Sequence, residues 1–179
     1  MNLNATGSHP PIVGRPLPLH WANEDETLAF ARKLAAHPAI THAFIELQGE
    51  LGAGKTTFVR HLLRSLGVAG RIKSPTYAVV EPHEVAWPFA PAAGGDAQPG
   101  ALAIWHFDFY RFNDPREWED AGFRDVFASP GLKLAEWPEK AAGLLPEPDL
   151  VLHIEAGAQD NERDVTATAC TALGAQLLS

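Results

Sequence analysis

The sequence predicts an α/β domain of three layers around a mixed, partly parallel sheet. The chain has 179 residues, 46% of them hydrophobic and 20% charged, which is the composition of an ordinary globular domain. Its first part alternates short apolar runs with helical segments, a pattern that favours a parallel sheet. Several strand-like segments then follow towards the C-terminus, and these indicate antiparallel additions to the sheet.

The first elements are a helix and a buried strand. Asn23 and Glu26 have the spacing of a capping box, and apolar residues then recur at helical intervals, so we expect a helix over Glu24–His37 that ends at Pro38. The segment His42–Gln48 is short, apolar and bounded by turn-forming residues, which predicts a buried strand.

The middle of the chain continues this alternation. A glycine-rich loop leads into a predicted helix over Thr56–Leu66, and predicted strands cover Tyr77–Glu81 and Ala101–Phe109. Asp114, followed at once by proline, starts a short helix well. The last predicted elements are three strands and a short helix: Leu132–Glu136, Asp149–Glu155, Asp164–Cys170 and Ala172–Leu178.

Two segments lie outside this regular pattern. Residues 1–18 contain four prolines and little periodicity, so we interpret them as an extended N-terminal arm. Residues 83–100 are rich in Pro, Ala and Gly, and we interpret them as an irregular insertion between strands. The rest of 19–179 is predicted to be one domain.

Composition excludes several classes of protein. Lys and Arg total 14 against 22 Asp and Glu, a formal charge of −8, which argues against a protein that holds nucleic acid alone, because basic side chains supply most non-specific affinity. No apolar run reaches the roughly 20 residues of a membrane-spanning helix. The start of the chain lacks the features of a secretory signal, and Cys170 is the single cysteine. We therefore expect a cytoplasmic protein without a membrane association.

One motif carries most of the chemistry. Gly49–Thr56 matches G-x-x-x-x-G-K-[ST], between a predicted strand and a predicted helix. In such a P-loop the backbone wraps phosphates at a helix N-terminus, Lys55 reaches the β- and γ-phosphates, and the Thr56 hydroxyl binds Mg²⁺. This predicts a P-loop NTPase-like domain that uses ATP and Mg²⁺. The candidate nucleotide-binding residues are Gly49, Glu50, Leu51, Gly52, Ala53, Gly54, Lys55, Thr56 and Thr57, the last of which also suits the helix surface.

A P-loop needs a carboxylate for the metal, usually at the end of an apolar strand. Asp108 and Glu136 both qualify, and spacing alone does not rank them: one holds the metal, and the other orients or deprotonates the attacking water. Arg111 pairs with a carboxylate or stabilises phosphate charge. The segment Ser74–Thr76 is either a phosphate-sensing loop or an ordinary Ser-Pro turn.

Four segments together resemble the TsaE family, the bacterial ATPases required for threonylcarbamoyladenosine in tRNA. They are Gly49–Phe58, Lys73–Tyr77, His106–Arg111 and Glu136–Pro138, in the order of the family. The resemblance implies ATP hydrolysis that resets a TsaD–TsaB transferase complex acting at position 37 of tRNA, with tRNA reached only through the complex.

The resemblance also implies roles for individual residues. Glu136 would join Thr56 as a magnesium ligand, Asp108 and Lys55 would be the catalytic residues, and Trp137 would lie near the nucleotide. Glu24 aligns with a region of the family that touches the nucleotide base, and so does the stretch Asp160–Arg163. No sharp motif anchors either alignment. His83 and the long loop after it depart from the family pattern.

Three alternatives stay open at this point. A small-molecule P-loop kinase would need an arginine-bearing lid, and residues 83–100 contain neither arginine nor lysine. A GTP-dependent switch would need an N-K-x-D segment, which the sequence lacks. A regulatory module that binds nucleotide without turnover would not need the two well-placed carboxylates, Asp108 and Glu136, which argue against it.

Overall fold

The structure, a computed structural model, describes residues 13–87 and 100–179. The strands within these ranges are β1 (Pro16–Trp21), β2 (Phe44–Gln48), β3 (Val80–Trp87), β4 (Gly100–Asp108), β5 (Leu132–Glu136), β6 (Leu150–Ala156) and β7 (Arg163–Ala169). The α-helices are α1 (Glu24–Ala36), α2 (Lys55–Ser65), α3 (Pro115–Asp120), α4 (Phe123–Ala128) and α5 (Ala172–Leu177), and short 3₁₀ turns cover Pro38–His42 and Pro138–Ala141.

The described strands form one mixed sheet, in the order β1-β7-β6-β2-β5-β4-β3. The four central strands, β6, β2, β5 and β4, run parallel to one another. At one edge β7 and β1 are antiparallel additions, and at the other edge β3 pairs antiparallel with β4. The predicted α/β class with a partly parallel sheet is confirmed.

Apolar side chains on both faces of the sheet explain the three layers. In β2, Ile45 and Leu47 belong to a core that also contains the buried residues of α1 and α2. Phe44, with the opposite orientation, belongs to a second, aromatic core around Phe107, Phe109 and the buried residues of α3 and α4. Since successive strand residues face opposite sides, helices cover both faces.

The ends of α1 and α2 are set by local chemistry. The Asn23 side chain accepts a hydrogen bond from the Glu26 N–H at 3.0 Å, as the capping pattern predicts. The Glu26 carboxylate reaches back one residue beyond the cap and accepts from the Ala22 N–H at 2.7 Å. Gly54 precedes α2 with a left-handed φ of 107°, a conformation that glycine adopts without strain. The loop after β2 therefore leads directly into the N-terminus of α2.

Three predicted boundaries need correction. Strand β1 begins at Pro16, so residues 16–18 of the predicted arm form the sheet edge, where proline is tolerated because no ladder partner needs its N–H. Residues 83–87, predicted to be irregular, belong to β3 and pair with β4, because Val85 and Trp87 alternate towards the core. The predicted strand over Tyr77–Glu81 begins only at Val80. Gly100, the last residue of the predicted insertion, begins β4. Residues 1–12 and 88–99 of the two predicted segments lie outside the described residues.

Candidate functional site

The glycine-rich loop lies at the carboxyl ends of the parallel strands, where ligands of open α/β sheets bind. Gly49, Gly52 and Gly54 all have positive φ, at 145°, 78° and 107°. A Cβ atom on Gly49 would lie 2.3 Å from the carbonyl oxygen of Ile154 in β6. The chain can therefore turn from β2 into α2 this close to the sheet only with glycine at the first position of the loop.

Lys55, the first residue of α2, folds back over this loop. Its ammonium donates hydrogen bonds to the carbonyl oxygens of Gly49 and, at 2.9 Å, of Glu50. It also lies 4.1 Å from the centroid of the Trp137 ring. Burial lowers the pKa of Lys55, and the surrounding carboxylates, Glu136 foremost, oppose that shift. The loop thus holds a desolvated cation beside the helix N-terminus.

Thr56 and Glu136 meet next to this cation. The Thr56 hydroxyl donates to Glu136 Oε1 at 2.6 Å, across 80 positions of sequence. The other carboxylate oxygen, Oε2, lies 2.6 Å from His106 Nε2. Glu136 is the last residue of β5, and only 2% of it is exposed. Trp137, directly after it, has a left-handed φ of 55°, a sparsely populated conformation for a residue of this size, and its ring contacts Lys55.

Asp108 lies beside Glu136 but has different partners. The two residues are paired in the β4–β5 register. Asp108 Oδ2 accepts from the Thr76 hydroxyl at 2.8 Å, and Oδ1 accepts from the backbone N–H of Tyr110 at 2.9 Å. Thr76 is also 2.9 Å from Ser74 through their hydroxyl oxygens. Glu136 therefore contacts the P-loop helix, whereas Asp108 contacts the segment Ser74–Thr76.

The oxygen atoms of Thr56 and Glu136 are suited to magnesium. Mg²⁺ prefers hard oxygen ligands and usually binds through one or two carboxylates together with substrate phosphates and water. A hydroxyl and a carboxylate 2.6 Å apart at a helix N-terminus match that preference. Within 13–87 and 100–179, no group of three or more His, Cys, Asp or Glu side chains is arranged to hold a metal.

Two open clefts flank the loop. The first, of ≈ 360 Å³, brings together most of the predicted site, lined by residues 51–57, Ser74, Thr76, Asp108, Tyr110, Glu136, Trp137 and Arg163. The second, of ≈ 660 Å³, lies on the other side of the loop and is lined by residues 48–53, Trp137, Glu139 and residues 153–156. Thr57 is exposed but does line the first cleft.

Two predicted contacts do not reach these clefts. Glu24, at the start of α1, pairs with His61 of α2 at 2.9 Å and lines neither cleft. This geometry gives no support to the predicted contact between Glu24 and the nucleotide base. Arg111 lies over the Tyr77 ring, 4.6 Å from its centroid, rather than beside a carboxylate of the site.

Arg163, the last residue of the stretch Asp160–Arg163 that the resemblance pointed to, is a cation of the first cleft. It begins β7, and its Nε lies 3.0 Å from the position of a Cβ on Gly54. It donates to the carbonyl oxygens of Asp160 and Glu162, at 2.6 and 2.7 Å. No motif surrounds it, and only the pairing of β7 with β6 brings it to the loop.

In the described part of the chain, no helix is long and apolar enough to span a bilayer.

The fold and the loop define a P-loop α/β domain. The family model described as "Threonylcarbamoyl adenosine biosynthesis protein TsaE" matches residues 21–165, and the chain belongs to the TsaE family.

Relatives and a solved structure agree with this assignment. The tRNA threonylcarbamoyladenosine biosynthesis protein TsaE of Haemophilus influenzae is 37% identical over 161 residues, which cover 88% of this chain and 92% of the relative. The protein of the same name from Bacillus subtilis is 35% identical, over 84% of this chain and 85% of the relative. The crystal structure of Bacillus subtilis YdiB superposes with a TM-score of 0.67 at 28% identity, covering 92% of both chains.

Proposed function

We propose that this protein is a magnesium-dependent ATPase that supports formation of N6-threonylcarbamoyladenosine at position 37 of tRNA, together with TsaD and TsaB. The observation that carries the proposal is the convergence of Lys55, Thr56, Glu136 and Asp108 on one cleft at the N-terminus of α2. The pathway comes from the names of its relatives.

Lys55 supplies the cation for the β- and γ-phosphates. In the structure its ammonium is held by two loop carbonyls, so phosphate oxygens replace those acceptors when nucleotide binds. Because burial already lowers its pKa, the ammonium gains more from an anionic partner than an exposed lysine would. The N–H groups at the start of α2 favour the same negative charge.

Thr56 and Glu136 are the proposed magnesium ligands. When bound there, the ion neutralises phosphate charge as it builds up during transfer. Glu136 is suited to this role because its carboxylate is buried and already directed at Thr56. A fixed ligand needs little reorganisation when the ion arrives.

Asp108 is the proposed orienting group or general base for the attacking water. It lies beside Glu136 but faces Thr76 rather than Thr56. Through this hydrogen bond, movement of the segment Ser74–Thr76 changes the position of the Asp108 carboxylate. Nucleotide contact with that segment would therefore control when Asp108 acts.

Purified variants test these roles. Lys55→Ala should abolish productive ATP binding, because the phosphates lose their fixed cation. Glu136→Ala should weaken binding of magnesium-ATP, whereas Asp108→Ala should bind it and fail to release phosphate. Calorimetric titration with ATP and an assay for phosphate release measure both effects. Unchanged hydrolysis by Lys55→Ala would remove the basis of the proposal, and the opposite pattern for Asp108 and Glu136 would exchange their roles.

A nucleotide-binding module without turnover is the second candidate. The observation that favours it is that both oxygens of Asp108 are already engaged, by Thr76 and by the Tyr110 N–H. Phosphate release by the protein, measured at saturating ATP with and without TsaD and TsaB, separates the candidates. The ATPase releases phosphate in at least one condition, and the binding module in neither.

The proposed contact with tRNA is indirect. A formal charge of −8 opposes binding to a polyanion by this chain alone, so tRNA is held by the partner subunits. An electrophoretic binding assay with the isolated protein should detect no tRNA complex at physiological salt.

A further inference from the structure

The carboxylate of Glu136 is held from both sides. The Thr56 hydroxyl bonds Oε1 at 2.6 Å, and His106 Nε2 bonds Oε2 at 2.6 Å. Thr56 lies on the P-loop helix, but His106 lies in β4 and lines neither cleft. The histidine therefore acts on the site only through Glu136.

The sheet register places His106 behind the site. It lies on the same face of β4 as Ile104 and Asp108. It pairs with Leu134 of β5, two residues before Glu136. Its exposed fraction is 0%. Hydrogen bonds to β5 on one side and to the edge strand β3 on the other fix the backbone of β4, so the ring has little freedom to leave the carboxylate.

Core packing does not account for a histidine at this position. His106 Nδ1 is buried and has no hydrogen-bond partner among the described residues, and such a group costs stability. A leucine would fill a buried strand position without that cost. Among the residues that the structure describes, the ring forms one hydrogen bond, with Glu136, and donation to that carboxylate requires a proton on Nε2.

We infer that His106 is a positioning residue that orients Glu136 for magnesium. Its Nε2–H donates to Oε2 and so keeps Oε1 directed at Thr56 and the phosphate cleft. Without this donor the carboxylate can rotate about its last side-chain bonds, and ordering it when the ion binds costs free energy. The inference rests on the proposed function, because it concerns the same metal-binding pair.

Two amide substitutions separate this role from a general one in packing. The side-chain nitrogen of His106→Gln can reach the place of Nε2, whereas that of His106→Asn ends near Nδ1 and cannot reach Glu136. Both are polar and uncharged, so both introduce a similar burial cost. His83→Asn is the matched control, because His83 lies in the neighbouring strand β3 and also has a buried, unpartnered nitrogen, Nε2.

The readout is the effect of Mg²⁺ on nucleotide binding. The dissociation constant of a non-hydrolysable ATP analogue is measured by calorimetric titration in EDTA and in excess Mg²⁺. The constant in EDTA divided by the constant in Mg²⁺ is the gain from Mg²⁺, and this ratio is compared between the proteins. Loss of packing weakens binding in both conditions and leaves this ratio unchanged. Loss of orientation lowers the ratio alone.

We expect His106→Asn to reduce the gain from Mg²⁺ by about 10- to 100-fold, the range for groups that orient a metal ligand. His106→Gln should keep most of the gain, and His83→Asn should keep all of it. Equal ratios in all four proteins, with a clear gain in the wild type, would overturn the inference and leave the proposed function intact. A wild-type protein that gains nothing from Mg²⁺ would overturn both. Urea unfolding of each variant identifies any that does not fold. If His106→Asn does not fold, the test rests on His106→Gln: a folded His106→Gln protein that loses the gain from Mg²⁺ would also overturn the inference.

Discussion

Replacing Gly49 with alanine tests the close approach of the loop to the sheet. The new Cβ would lie 2.3 Å from the carbonyl oxygen of Ile154 and 3.3 Å from Cβ of Ala53. The first distance is well below any ordinary contact and involves backbone, so β6 or the loop has to move. The φ of 145° at this position adds strain, because non-glycine residues rarely adopt it.

The two effects give the expected magnitude. Backbone in a disfavoured region costs about 1–3 kcal/mol and overpacking adds about 1–3 kcal/mol, so Gly49→Ala should lose about 2–6 kcal/mol of unfolding free energy. Gly52→Ala is the matched control, since Gly52 also has positive φ, 78°, but no described residue other than its two chain neighbours has an atom within 4 Å of its Cβ position. It should lose only about 1–2 kcal/mol.

Urea unfolding followed by tryptophan fluorescence measures both losses. The reasoning predicts that Gly49→Ala is clearly the less stable protein and that its affinity for ATP falls, because the displaced loop no longer matches the phosphates. Equal destabilisation by the two variants would show that the contact with Ile154 relaxes easily. A Gly49→Ala protein with wild-type stability would refute the loop geometry itself.

Further predictions concern stability and the unassigned loop. Asp149→Ala should cost about 2–4 kcal/mol in urea unfolding, because its carboxylate accepts from the first N–H of β2 and from the Thr171 hydroxyl, at 2.8 and 2.7 Å; a loss below about 0.5 kcal/mol would contradict that. A hydrogen bond with Asp164 raises the pKa of His20 above its usual 6.5. This pair should therefore stabilise the fold below pH 6.5 and lose its contribution as pH rises through the raised pKa. In urea unfolding, His20→Asn should lack this pH-dependent part of the stability, and a pH profile identical to that of the wild type would exclude the contribution. Replacing 88–99 by a short turn leaves β3 and β4 whole and should spare ATP binding in calorimetry, whereas loss of folding would give that segment a structural role.

Local sequence predicted the central elements well. Strand β5 has the predicted bounds, Leu132–Glu136. A short apolar run between turn-forming residues is typical of a buried strand and is too short for most helices. Helix α1 matches its prediction to within one residue, since its cap is local chemistry. The whole P-loop and its place between strand and helix could be read directly, because every part of the signal lies within a few residues.

Features that depend on distant pairing could not be predicted in this way. Strand β1 contains Pro16 and Pro18, and proline generally disfavours a strand. Both are tolerated here because β1 pairs only with β7 and forms the edge of the sheet. Helix α4 is six residues long and follows a glycine, too short for a periodic signal. The roles of Asp108 and Glu136 stayed ambiguous because the register of β4 on β5, and hence the contact with Thr56, is set across the sheet.

Relations between side chains were the hardest to foresee. The bond between His106 and Glu136 joins residues 30 positions apart on two different strands, and no local pattern predicts it. Arg163 reaches the cleft only because β7 lies beside β6. The pair between Glu24 and His61 of the neighbouring helix was not foreseen either, and the predicted contact of Glu24 with the nucleotide base stays a prediction.

Reconstitution of the tRNA modification tests the central claim most directly. TsaD and TsaB are combined with tRNA, ATP and the remaining substrates, and the formation of threonylcarbamoyladenosine is followed over many turnovers, without this protein, with it, and with Lys55→Ala. The account predicts sustained modification only with the wild-type protein. Equal modification with Lys55→Ala would contradict it, because the P-loop cation would then have no part in the function.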